Sequence, residues 1–400
     1  MFRAIDQARQ SRRPRRSHAA RGWCWRHPYA VVFIQKVCSS SPDGQPIRSR
    51  VVSVEEDRVS VAPGSSSRGR DLGAASDVAA SLGAPDTAGR GGADPMTELL
   101  TAFPAEDDST PLAAQLLVDT RRRMSLEGRQ FRKPDTTRIM TIANQKGGVG
   151  KTTTTVNLAA SLAQGGLNVL VIDNDPQGNA STALGIDHRS GVPSVYEVLV
   201  EGLSIAETVQ QCPEFPNLLV VPATIDLSGA EIELVSLVSR ETRLRRAVDS
   251  YLAEREAAGE PRIDYVLVDC PPSLGLLTLN AFVTGREVLI PIQCEYYALE
   301  GLSQLLKTIK LIQAHLNPDL HVSTILLTMF DARTNLATQV ASEVREHFGA
   351  ETLATSIPRS VRVSEAPSHG QTVISYEPSS TGALAYREAA RELTERAGAA

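Results

Sequence analysis

Ile139-Met140-Thr141-Ile142-Ala143-Asn144-Gln145-Lys146-Gly147-Gly148-Val149-Gly150-Lys151-Thr152-Thr153-Thr154 is the stretch on which the reading of this chain turns. Residues 139–143 are a short apolar run of strand type. Residues 156–163, beyond the glycines, carry a helical period that Gly165-Gly166 would stop. Glycines between a strand and a helix let backbone N–H groups turn inward onto phosphate oxygens, and the helix presents its positive end to the same anion. The stretch therefore predicts a nucleotide-binding loop made of Lys146, Gly147, Gly148, Val149, Gly150, Lys151, Thr152 and Thr153. Lys151 would lie along the β- and γ-phosphates, and the Thr152 hydroxyl would coordinate Mg²⁺. The spacing is not the ordinary one: Lys146-Gly147 stands where a glycine usually precedes the Gly-Lys pair, which makes a deviant Walker A loop with a second lysine at its start.

Outward from the loop the pattern alternates. Continuous apolar runs at 169–172, 218–221, 266–268, 288–292 and 324–327 read as parallel strands covered on both faces. Helical stretches at about 227–240, 242–257, 298–315, 335–347 and 379–396 lie between or after them. Alternation of this kind predicts an α/β fold: a doubly wound, mostly parallel sheet flanked by helices, of the P-loop type.

Upstream the chain changes character. Residues 1–95 are rich in Arg, Ser, Gly and Ala and carry 15 Lys/Arg against 9 Asp/Glu, whereas residues 96–400 carry 26 against 37. With no sustained period, 1–95 is expected to be a disordered extension or an over-extended start, with Met96 as initiator. Arg12, Arg13, Arg15 and Arg16 suggest a nucleic-acid-binding tail as the alternative. Residues 96–137 read as a partly helical arm, with Thr110 capping a helix that begins at Pro111. The acidic main body requires any nucleic-acid contact to use a local patch. Five scattered cysteines without a CxxC pair argue against a structural zinc or iron–sulfur site. Aromatic residues at 4% disfavour single-strand binding by stacking.

With the loop in place, the chain resembles the ParA/Soj chromosome- and plasmid-partitioning ATPases of the wider ParA/MinD group. The resemblance covers about 138–397. It rests on the loop together with Asp173-Asn174-Asp175-Pro176-Gln177-Gly178-Asn179, Asp269-Cys270-Pro271-Pro272-Ser273-Leu274-Gly275, the run 291–301 and the run 358–367. It implies that Lys146 reaches across an ATP-sandwiched homodimer to the partner's phosphates, and that Asp175 positions the attacking water. Asp269 is implied as the Walker B acid that holds Mg²⁺, with Asp173 a switch-region acid near the metal and Pro358 a contact to adenine. Asn174 stands where an apolar residue is more usual. Arg333 and Arg362 match positions that resemble DNA-contacting arginines, and the cluster Arg240, Arg243, Arg245 and Arg246 is a further candidate patch or a solvated, ion-paired face.

The expected activity is slow Mg²⁺-dependent ATP hydrolysis in the cytoplasm, on the nucleoid. The ATP dimer would bind double-stranded DNA without sequence preference, and a ParB-like centromere-binding partner would stimulate its release. Two alternatives are a scaffold that positions a protein cargo and a MinD-like membrane-surface ATPase. The C-terminal stretch, mostly alanine with three glutamates, has little to insert into lipid.

Overall fold

The computed structural model describes residues 111–126, 128–296 and 298–396. The extension 1–95, with its expected disorder and its arginine-rich start, and the proposed cap Thr110 lie outside the described residues. The described residues form eight strands: β1 (Arg138–Ile142), β2 (Val169–Asp173), β3 (Gln210–Gln211), β4 (Leu218–Val221), β5 (Tyr265–Asp269), β6 (Glu287–Gln293), β7 (His321–Phe330) and β8 (Thr352–Pro358). They form one sheet in the order β3-β4-β2-β5-β1-β6-β7-β8, parallel except for the β3–β4 pair. The longer helices are α1 (Pro111–Leu126), α2 (Lys151–Gln164), α3 (Arg243–Ala257), α4 (Leu276–Thr284), α5 (Ala298–His315), α6 (Asn335–His347) and α7 (Thr381–Arg396).

Strand alternation sorts the apolar residues onto two faces. Ile139, Leu170, Ile172, Val266 and Val268 point into one core, completed by α3, α4, α5 and α6. Met140, Ile142, Val169, Val171, Tyr265 and Leu267 point into the other, completed by α2 and α7. Every residue of β2 and β5 is buried, as a parallel sheet covered on both faces demands. At the lower end of the sheet Arg138 and Glu287 form a half-buried two-pronged ion pair, 2.7 and 2.5 Å long.

The expected arm begins its helix at Pro111. Helix α1 packs on α7 through an Arg122–Glu388 ion pair, and the Arg387 guanidinium donates to the Leu126 carbonyl at 3.1 Å. The expected helix 227–240 is shorter. It runs Leu227–Glu233, tightens at Leu234–Ser236 and then breaks, with Ser239 in the left-handed region. Strand β8 and helix α4 were not expected from the sequence.

The sheet's winding reverses at β1, whose neighbours β5 and β6 lead to opposite edges. Register aligns Ile142 with Asp269 and with Leu289, and Asp173 with Asp269. The carboxyl ends of β1, β2 and β5 therefore meet at one level, where open α/β sheets place their ligands.

Candidate nucleotide site

The loop leaves β1 at Ala143 and enters α2 at Lys151. Gly148 (φ 75°) and Gly150 (φ 89°) hold left-handed backbone that residues with a Cβ rarely adopt. A Cβ at Gly147 or Gly148 would meet nothing within 4 Å, so this backbone lies open. Two neighbouring strands brace it. The Asn144 Nδ2 donates to the Pro291 carbonyl (2.8 Å) while its Oδ1 accepts from the Lys146 N–H (3.0 Å). On the far side the Thr328 hydroxyl donates to the Val149 carbonyl at 2.8 Å.

Behind the loop sits a buried charge cluster. Burial holds the Lys151 ammonium below its ordinary value, against the pull of Asp269 and Asp175. Burial raises Asp269 strongly, the charge of Asp173 adds to this, and the hydroxyls of Thr152 and Thr155 oppose it. The Thr155 hydroxyl donates to Asp269 Oδ1 at 3.0 Å, while Oδ2 is buried with no hydrogen-bond partner. An orphaned carboxylate oxygen beside a lysine and a threonine hydroxyl is a site in want of a cation or a cation-held water. No group of three or more His, Cys, Asp or Glu residues able to hold a metal occurs among the described residues. The donor set thus fits Mg²⁺ shared between a hydroxyl, one acid and the phosphates of a nucleotide, and not a cage made by the protein alone.

Asp173 ends β2 in register with Asp269, and its charge helps to raise that acid. Its Oδ2 accepts from the Ser181 N–H (2.8 Å) and hydroxyl (2.7 Å), and its Oδ1 from the Asp175 N–H (3.3 Å). Fully buried and engaged at both oxygens, it shapes the turn after β2. Asp175 keeps one oxygen on the Gln177 N–H (3.0 Å) and lies within the electrostatic reach of Lys151. The Lys146 Nζ donates to Glu295 Oε2 at 2.6 Å, just beyond β6.

Pro358 ends β8 level with Phe330 of β7, and Arg333 follows β7, so both lie on the edge of the sheet that carries the loop. Arg333 is highly exposed and chelates its own Asp331 at 2.8 and 2.9 Å; Arg362 pairs with Glu365 at 3.0 Å. The cluster at the start of α3 is mostly occupied: Arg243 donates to the Leu199 and Val200 carbonyls, Arg240 pairs with Glu241 and Arg245 with Asp249. Sequence reasoning named no role for Asn144, Thr155, Ser181, Glu295 or Thr328; only Asn144 and Thr155, flanking the loop, carried a local signal.

A family model described as an AAA domain matches residues 137–322. The chain is 53% identical over 256 residues to the sporulation initiation inhibitor protein Soj of Bacillus subtilis, covering 64% of this chain and 98% of that one. It is 52% identical over 259 residues to the chromosome partitioning protein ParA of Myxococcus xanthus, covering 65% and 88%. The chain belongs to the Soj/ParA family of chromosome-partitioning ATPases. Among solved structures it is similar to a Mycobacterium smegmatis protein described as cobyrinic acid a,c-diamide synthase with bound ADP and magnesium (38% identity, TM-score 0.54, 64% of this chain and 93% of that one). It is also similar to the Pyrococcus furiosus cell division ATPase MinD (26% identity, TM-score 0.52, 64% and 98%). These matches cover the P-loop fold and leave about a third of the chain outside them.

Proposed function

We infer that the chain is a Mg²⁺-dependent ATPase switch for chromosome or plasmid partitioning. ATP closes a homodimer, the dimer binds double-stranded DNA without sequence preference, and a ParB-like centromere-binding partner stimulates the hydrolysis that releases it. The observation that carries the nucleotide reading is the unpartnered Asp269 Oδ2, buried beside Thr152 and Lys151 at the open glycine loop.

In this reading the N–H groups of the loop and the Lys151 ammonium bind the phosphates, while Thr152 and Asp269 hold Mg²⁺. When bound there, Mg²⁺ would supply neutralisation of charge on the phosphate oxygens. Asp175 holds the water whose oxygen attacks the γ-phosphorus as the bond to the bridging oxygen breaks, giving ADP and phosphate. Asp173 fixes the Asp175 backbone through the bond just described. Lys146 leaves Glu295 to reach the partner protomer's phosphates, which makes hydrolysis depend on dimer closure and keeps the isolated chain slow. Arg333 and Arg362 supply phosphate contacts to DNA.

DNA is favoured over lipid as the bound surface. The apolar side of α7 is buried against α2 and β8, and among the described residues no helix is long and apolar enough to cross a membrane. The test is nucleotide binding and hydrolysis by the full chain. Lys151→Ala is expected to lose MgATP binding, and Asp175→Ala to keep binding but hydrolyse at least about a hundredfold more slowly, the range for a group acting on the reacting water. Unchanged hydrolysis by Asp175→Ala would refute its assignment.

A further inference from the structure

Asn174 lies between Asp173 and Asp175, just beyond β2, and is fully buried. Its backbone N–H donates to the Asp269 carbonyl at 3.0 Å, and its side-chain Nδ2 donates to the Leu277 carbonyl at 2.9 Å, in the first turn of α4. One residue thus joins the end of β2, the end of β5 and the start of α4. These three points frame the loop 270–275, which runs from the acid proposed to hold Mg²⁺ to the helix. The neighbouring residue in the chain is Asp175, proposed to hold the attacking water.

Packing alone does not account for an amide here. The Asn174 Oδ1 is buried without a hydrogen-bond partner, a cost that an apolar side chain of equal size would not carry. The Leu277 carbonyl would keep its place in the helix ladder of α4 without Asn174. A buried polar residue that breaks the local rule beside reacting groups is the kind of exception a functional site makes.

We propose that Asn174 is a positioning residue for ATP hydrolysis: its amide fastens the backbone that carries Asp175 to the first turn of α4, so the water-holding carboxylate moves with the loop 270–275. The proposal rests on the ATPase reading above. Asn174→Val, the apolar side chain nearest to asparagine in volume, removes the donor. For the full chain, single-turnover hydrolysis of MgATP is expected to slow about tenfold, the effect of one lost hydrogen bond to geometry. The KM for ATP is expected to stay within about twofold. The Tm without nucleotide is expected to be unchanged or higher, where a purely structural amide would give a lower Tm and an unchanged rate. That second pattern, or an unchanged rate at any Tm, overturns the proposal. Hydrogen exchange on the unaltered chain gives a test independent of the variant's folding. On adding MgATP, amides at 175–178 and in the first turn of α4 are expected to gain protection together; protection at one site alone overturns the coupling. Absence of hydrolysis by the unaltered chain would overturn the ATPase reading first, and the proposal with it.

Discussion

At Asp269 the demands of the free chain and of the nucleotide-bound chain pull in opposite directions. Its carboxylate is buried against Asp173, and one oxygen lacks a partner, so its charge is disfavoured until a cation arrives. Asp269→Asn removes the desolvated charge beside Asp173 and is therefore expected to leave the Tm of the nucleotide-free chain unchanged or raised, while abolishing Mg²⁺-dependent hydrolysis. Thermal unfolding without nucleotide, set beside a hydrolysis assay, checks both halves, and a lowered Tm would contradict the burial argument. The loop was legible in the sequence because glycines and a lysine at fixed spacing are what phosphate binding needs. The partner of Lys146 was not, because Glu295 lies 149 residues away in sequence and only the β1–β6 pairing brings it close. The contacts of Asp173 to Ser181 and Asp175 were not legible either, since they follow from the turn after β2 and from no local motif.

Among the elements, the end of α2 and the Arg138–Glu287 pair give the sharpest expectations. A Cβ at Gly165 would come within 2.3 Å of the Phe131 ring, and the Phe131 N–H donates to the Gly165 carbonyl at 2.9 Å. Gly165→Ala is expected to cost about 1–3 kcal/mol by overpacking, read as a lower denaturant midpoint with an unchanged m-value. Burial pulls the Glu287 carboxyl up, but its bonds and attraction to Arg138 outweigh burial and leave it below its ordinary value. An acid depressed by folding contributes stability that is present above its unfolded value and lost as pH falls through its folded one. Glu287→Gln is thus expected to cost about 1–3 kcal/mol near neutrality, since it removes the charged partner of the half-buried Arg138, and to flatten the fall of Tm below about pH 4.5. An equally steep fall in the variant would assign acid sensitivity elsewhere. Buried strands and amphipathic helices were legible because period and hydrophobicity agree in them. Strand β8 was missed because Thr352–Pro358 is a sheet edge of mixed burial, and α4 because Leu276–Thr284 is apolar on nearly every side and so carries no period. The break after Ser236 depends on packing that no periodicity reports.

For the whole molecule, the reversal of winding at β1 gathers the loop, the acids, Lys146 and the exposed arginines at one edge of the sheet. Chemistry on the nucleotide can there alter the surface presented to a partner. The body from residue 96 onward is acidic, so the proposed DNA contact by this body would use a local patch, and local acids already hold Arg333 and Arg362 in the single chain. Binding through phosphate contacts alone is steeply salt-dependent and indifferent to sequence. The most direct measurement is equilibrium binding of the full chain to random-sequence duplex DNA with ATP, with ADP and without nucleotide, across a salt titration. The predicted result is tight binding with ATP only, falling steeply with salt and equal for unrelated sequences. Equal binding in all three nucleotide states, or none in any of them, would contradict the switch.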